Sequence, residues 1–161
     1  MNKYFLDLGY QPLANNYQKK YTNKQNKYKL KLYFNTKNKL VSISKRIPSE
    51  KMFNNKYPYR SSMSKTMQNS FKKLSQKIKK RFKPNLILEI GSNDGALIKN
   101  FQKKRVVGVE PCKNLAQFTI KKGFRIYDSY WTRKLAKKIR YNHGKFDLIY
   151  SANTLTHISN L

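Results

Sequence analysis

Leu86-Ile87-Leu88-Glu89-Ile90-Gly91-Ser92-Asn93-Asp94-Gly95 is the stretch whose reading decides the fold. Leu86 to Ile90 is a short apolar run, suited to a strand buried on both faces. Gly91 to Gly95 reads as a tight loop, because glycine permits a sharp turn and a close approach of a ligand to the backbone. Ala96 to about Lys103 reads as a helix, whose N-terminus would offer free N–H groups and a positive dipole end. Downstream the pattern repeats. Val106–Val109 is a second strand. Asn114 can cap a helix to about Lys121, and Gly123 ends it. Phe124–Tyr127 is a third strand, Thr132 can cap a helix through about Arg140, and Phe146–Tyr150 is a fourth strand. Strands alternating with helices of this length predict a parallel sheet with right-handed crossovers. The expected class is α/β, with about four parallel strands. The sequence stops at Leu161, inside what would be the next helix, so the sheet is expected to be incomplete.

Upstream, Met63, Met67, Phe71, Leu74, Ile78 and Phe82 recur at spacings of 4, 4, 3, 4 and 4, one face of a helix that Pro84 ends. Core packing explains that stripe. Tyr57-Pro-Tyr59-Arg-Ser-Ser62 is extended, since residues before proline avoid the helical region. Tyr28–Phe34 alternates as a half-buried strand does, Asn35–Lys39 reads as a turn, and Leu40–Ile43 as a return strand. Ile47 to Glu50 opens a linker with a short helical turn. These readings divide the chain into a small β-hairpin module (1–56), a linker with an amphipathic helix (57–84), and an α/β region (85–161).

Composition narrows the function classes. There are 161 residues, 36 Lys+Arg against 7 Asp+Glu, and a formal net charge of +29. No run of about 18 apolar residues exists for a membrane helix. The first residues lack the apolar core of a secretory signal, which points to a cytoplasmic protein. One cysteine, Cys112, permits neither a disulfide framework nor a Cys-only zinc site within the chain. The charge has two readings. It suits nucleic acid or another polyanion, or it reflects a Lys- and Asn-loaded composition with lysines in every segment and few arginines. The second reading is favoured, and nucleic acid is kept as an alternative partner. The oligomeric state is not legible.

The glycine loop alone is weak evidence, lacking both the three-glycine dinucleotide spacing and a P-loop lysine. Glu110 strengthens it. This acid ends the second strand 19 residues beyond Gly91, where it can accept hydrogen bonds from both hydroxyls of a ribose. A surface glutamate among lysines is the plain alternative. After the fourth strand, Asn153 is a candidate site contact and His157 a candidate base or substrate contact, the alternative being a surface histidine. His143 is given no role. Cys112 begins a helix, where a thiol pKa can fall, but no base is paired with it.

In order and spacing, Glu89–Gly95, Val109-Glu110-Pro111, Asp147–Asn153 and His157 resemble class I S-adenosylmethionine methyltransferases. More narrowly the chain resembles nucleotide-sugar C-methyltransferases with an N-terminal zinc module. Leu6–Asn15 is like the segment after that module's first Cys pair, and Tyr57–Ser62 like the family's Tyr-x-Tyr-x-Ser-Ser linker. The resemblance implies a Rossmann-like S-adenosylmethionine-binding sheet. Gly91, Asn93 and Gly95 would shape the cofactor pocket, with Glu89 under the methionine end and fixing the loop. Glu110 would hold the ribose, Asp128 and Ser129 would reach adenine, and Asn153 would line the methyl-donor crevice. Tyr59 would approach the sugar, and Tyr59 and His157 are the candidate catalytic residues. The implied chemistry is deprotonation beside a 4-keto group of a nucleotide-linked deoxysugar, then methyl transfer to that carbon. Two departures matter. Asn35 and Asn38 stand where the second Cys pair belongs, and the first pair would precede Met1, so no zinc or other metal is expected. The family's catalytic segment beyond the fourth strand and its C-terminal sugar-binding domain are absent from this sequence. It is therefore read as an N-terminal piece, inactive by itself, or a non-catalytic remnant.

Overall fold

A computed structural model describes residues 1–22 and 24–158. The chain divides into two compact units, Met1–Met52 and Phe53–Leu161.

The first unit is an antiparallel sheet of β1 (Asn2–Pro12), β2 (Lys27–Asn35) and β3 (Val41–Ile43) in that order, followed by a short helix α1 (Ser49–Met52). Alternation along β2 sets its two faces. Leu32 lies opposite Leu6 on one side and Ile43 on the other. The expected two-stranded hairpin is thus a three-stranded sheet. β1 escaped notice because register shifts at Tyr4/Leu6 and Asp7/Tyr10 break its alternation, and Gly9 takes φ 68° within the second. Asparagines build the β2–β3 turn. Asn35 Oδ1 accepts the N–H groups of Lys37 and Asn38, and Asn38 Oδ1 accepts that of Leu40. Both asparagines thus shape the turn by hydrogen bonding nearby backbone.

In the second unit, four parallel strands run β6 (Arg125–Tyr127), β5 (Val106–Val109), β4 (Ile87–Ile90), β7 (Leu148–Tyr150) across the sheet. The α/β expectation holds. β4 and β5 are buried along their whole length, which is why both read as short apolar runs with Glu89 the one charged residue between them. Helix α2 (Lys65–Phe82) covers one face, packing Phe71 and Ile78 with Ile87, Val106, Ile98 and Phe101. Helix α4 (Arg133–His143) covers the other, packing Leu135 and Ile139 against Leu88, Ile90, Val107 and Val109. Both starts are capped. Ser64 accepts the Met67 N–H, and Thr132 accepts that of Leu135. Helix α3 (Lys113–Ile120) lies between β5 and β6 in sequence.

Several local expectations change. The α2 stripe is shorter at both ends, since Met63 lies in a preceding turn, 71% exposed, and Phe82 is 54% exposed. Ala96–Lys103 is not an α-helix but two short 3₁₀ turns. The Asn100 side chain donates to the carbonyls of Ala96 and Leu97, the groups a continuing helix would use. No helix dipole therefore stands behind the glycine loop. Cys112, not Asn114, precedes α3 as its cap residue, and the Asn114 amide instead donates to the Tyr57 carbonyl at 2.9 Å. Asp147 lies just before β7, where its carboxylate accepts the N–H groups of Asn85 and Leu86 at 2.9 Å each. That fastens the amino ends of β4 and β7 together.

Candidate functional site

Because the four strands are parallel, their carboxyl ends open on one side of the sheet, and the loops that follow them meet there. The glycine loop leaves β4 and bends toward β5, with the N–H groups of Gly91 and Ser92 both donating to the Val109 carbonyl. Glu110 follows at the end of β5. Its Oε2 accepts the Asn93 N–H at 2.7 Å and its Oε1 the Cys112 N–H at 2.8 Å. Glu110 thus stitches the glycine loop to the start of α3, the task the resemblance gave to Glu89. The Cys112 thiol hydrogen-bonds the same carboxylate, so Glu110 is held from three sides. Burial raises the Glu110 pKa, and the two backbone N–H groups pull it back.

Glu89 is 3% exposed and its Oε2 has no hydrogen-bond partner. Burial, and then the nearby Glu110, push its pKa well above the carboxylate range. Across the sheet it pairs with Gly108 on one side and Tyr150 on the other. Gly108 admits its neighbours, since a Cβ there would lie 2.6 Å from Ile98 Cδ1 and from Ile126 Cδ1 and 2.9 Å from Ser92 Oγ. The Tyr150 phenol is raised by partial burial and then by Glu89.

Two glycines are needed for reasons inside the protein. Gly91 takes φ 79°, and a Cβ there would come 2.1 Å from Thr154 Oγ1. Gly95 takes φ 80°, with Thr119 Oγ1 2.6 Å from the same imagined atom. Asn93, at φ 50°, turns its side chain to the linker, accepting the Ser61 N–H at 2.8 Å and donating to the Tyr59 carbonyl at 3.2 Å. Tyr59 itself is 45% exposed. Asp128 and Ser129 follow β6, beside the end of β5, where the Glu110 N–H donates to the Tyr127 carbonyl. Asn153 is exposed after β7 at φ 53°. His157 lies in a 3₁₀ turn, its ring edge-on to Phe53 at 5.0 Å. Glu89, Gly91, Asn93, Gly95, Glu110 and the Asn153 loop are therefore gathered at one end of the sheet, with the Tyr59 backbone against them. The Cys112 thiol is buried and held protonated, first by desolvation and then by Glu110. Among the described residues no three His, Cys, Asp or Glu side chains are grouped to hold a metal ion.

Four of the chain's seven acidic residues, Glu89, Asp94, Glu110 and Asp128, follow or end β4, β5 and β6 at this edge. In a protein of net charge +29 that is a marked local reversal. It prepares the site for cationic and hydroxyl groups. Thr154, Thr119 and Tyr150 went unrecognised in the sequence, because nothing local marks a threonine as the neighbour of a distant glycine.

Residues 59–161 match the family described as "Methyltransferase domain". The chain belongs to that family. The matched span contains every expected site residue from Tyr59 to His157. Membership in a methyltransferase family implies S-adenosylmethionine as methyl donor, and the residues present suit it. The buried Glu89 oxygen lacks a hydrogen-bond partner, and a methionyl ammonium would supply a donor there. This methyltransferase chain is also 33% identical over 79 residues to the C-methyltransferase NovU of Streptomyces niveus. The match covers 48% of this chain and 19% of that relative's length. No helix among the described residues is long and apolar enough to cross a membrane.

Proposed function

We propose that this methyltransferase domain binds S-adenosylmethionine at the carboxyl ends of its parallel strands. We further propose that it serves C-methylation of a 4-keto nucleotide-linked deoxysugar. The observation that carries the cofactor reading is the unpartnered, buried Glu89 oxygen beside Glu110 in an otherwise lysine-rich chain. The substrate class rests on the resemblance of the linker and motifs, and carbon as the acceptor is supported by the relative's description as a C-methyltransferase.

When bound, S-adenosylmethionine supplies an electrophilic methyl group on a sulfonium. Glu89 would hold the methionyl ammonium, a cation beside it favouring its ionised form. Glu110, which holds the glycine loop through the Asn93 N–H, would accept the ribose hydroxyls. Asp128 and Ser129 bound the adenine end, and Asn153 lines the methyl-donor crevice. Tyr59 would orient the sugar, and His157 would take the proton from the carbon beside the 4-keto group, leaving the electron pair as an enolate on the 4-keto oxygen. In chemistry of this kind positioning and a general base would supply most of the catalysis.

Titration calorimetry with S-adenosylhomocysteine at moderate salt tests this, beside Glu89→Gln, which keeps shape and removes charge. Saturable binding by the wild type, weakened at least tenfold by the variant, is expected, since charge-assisted contacts are worth about 1.5–3 kcal/mol. A folded wild-type chain that does not bind, or a variant that binds equally, overturns the reading.

A second reading, single-stranded nucleic-acid binding, has one observation in its favour. Lys29 stacks over Tyr10 and Lys31 over Tyr4, and Tyr4 meets Tyr33, so one face of the first unit interleaves lysine and tyrosine. Salt-dependent binding of random single-stranded RNA, lost in Tyr4→Ala, would favour it.

A further inference from the structure

Residues 53–62 are tied to the loop or helix that follows each of the four parallel strands. After β4, the Asn93 and Asp94 side chains accept the N–H groups of Ser61 and Ser62. After β5, Asn114 donates to the Tyr57 carbonyl, and the Arg60 guanidinium lies 4.7 Å from the centre of the Phe118 ring. After β6, the Tyr130 hydroxyl donates to the Phe53 carbonyl. After β7, the His157 ring meets Phe53.

The tightest of these ties is Asp94. Its Oδ1 accepts the Ser62 N–H at 3.2 Å, and its Oδ2 accepts the Ser62 hydroxyl and lies 3.8 Å from Arg60 Nε. Ser62 also accepts at its carbonyl from Gln68, at 2.6 Å, so its N–H, hydroxyl and carbonyl are all engaged. Two ion pairs occur among the described residues, Lys29–Asp7 and Arg60–Asp94. The Asp94 side chain is 3% exposed and that of Asp7 42%. With lysines abundant everywhere, the buried acid is paired with an arginine on this segment.

The glycine loop faces two ways within two residues. The Asn93 N–H is held by Glu110, while the Asn93 and Asp94 side chains hold the 59–62 segment. Moving one connection moves the other. We propose that residues 53–62 form a wall of the cofactor site and that Asp94 is the positioning residue that sets it, so that occupancy of the site and docking of this strap are coupled. The coupling rests on the S-adenosylmethionine reading, and the positioning role does not. By reciprocity, a ligand that steadies the loop steadies the strap, and loosening the strap weakens the ligand.

Hydrogen-exchange mass spectrometry on the full chain, with and without S-adenosylhomocysteine, tests both parts. Without ligand, Ser62→Ala and Asp94→Asn should speed exchange of amides 59–63 by at least about tenfold, the loss of one hydrogen bond to a charged group. β4 and β5 should stay protected, and Ser62→Thr, which keeps the hydroxyl, should restore the wild-type rate. Ligand should slow the same amides in the wild type. Both loosened variants should then bind it at least about fivefold more weakly, the low end of ordinary site–site coupling. Unchanged exchange at 59–63 in the loosened variants overturns the positioning role. Ligand binding that leaves those amides and both affinities unchanged overturns the coupling and spares the cofactor reading. A folded wild-type chain that does not bind overturns the cofactor reading and the coupling together, while the exchange rates still judge Asp94. Should Asp94→Asn not fold, the Ser62 pair carries the test.

Discussion

The two units of this chain use their strands in opposite ways. β1 and β2 are 11 and 9 residues long, yet no described residue of 1–52 is buried. β4 to β7 are 3 or 4 residues long, yet every buried core residue lies between Phe71 and Ile139. Ladder length and stability are therefore separate matters here. A long ladder satisfies its backbone and leaves its side chains in water. A short parallel strand between two helical layers is dehydrated on both faces, and that is where apolar burial contributes.

The comparison is sharpest in the cores. Ile98→Ala, at a position 0% exposed, should cost about 2–5 kcal/mol, the range for a large buried aliphatic residue. Leu32→Ala in half-buried β2 should cost less than about 1 kcal/mol. Urea unfolding followed by far-ultraviolet circular dichroism measures both, and equal losses would erase the distinction. Next come two glycines with nearly the same backbone. Gly91 and Gly9 have φ 79° and 68°, but a Cβ on Gly91 overlaps Thr154 while one on Gly9 meets nothing within 4 Å. Gly9→Ala should cost about 1 kcal/mol for the left-handed conformation alone. Gly91→Ala should cost about 1–3 kcal/mol more, partly relieved by Thr154→Ala.

Acids supply the smallest contrast, and its sign differs between units. Burial raises the Glu89 pKa above its ordinary 4.5, so the folded state holds that proton more tightly than the unfolded chain. Its favourable contribution is complete below pH 4.5 and is lost as pH rises through the folded pKa. Glu89→Gln should therefore unfold at higher temperature than wild type near neutral pH, with the gap closing toward pH 4. Asp7 is exposed, and its hydrogen bond from Lys29 lowers its pKa below 3.8. Its contribution is present above that pH and lost as pH falls through the folded value. Asp7→Asn should lower stability slightly near neutral pH and not at all in strong acid. Thermal melts of the wild type and the two variants at pH 3, 5 and 7 decide the signs.

What the sequence disclosed follows the same division. The runs Ile87–Ile90 and Val106–Val109 were legible because burial on both faces leaves a mainly hydrophobic signature, with Glu89 the one charged residue in it. Thr132 was legible because a cap is a local device. β1 was not, since its two register shifts scramble a period of two. Nor were the 3₁₀ turns at 98–105, where one asparagine side chain takes two helix carbonyls. The site was half legible. Gly91 and Glu110 stood out by spacing and Glu89 only through the family resemblance, and which glutamate ties the loop depends on three-dimensional reach. The turn of Asn93 toward the linker depends on Ser61, 32 residues away.

The order in which β4 acquires its neighbours has a consequence in time. β5 and β6 follow β4 closely, so that side of the sheet can zip as the chain emerges from a ribosome. β7, the partner on the other side of β4, arrives roughly sixty residues later, about 3–12 s at ordinary elongation rates. Through that interval Ile87–Ile90 presents an apolar, unpaired edge, the template on which nascent chains stick to one another. Around it every copy carries a large excess of lysine, and mutual repulsion keeps such edges apart. The charge that gives the folded site its contrast also guards the half-made sheet.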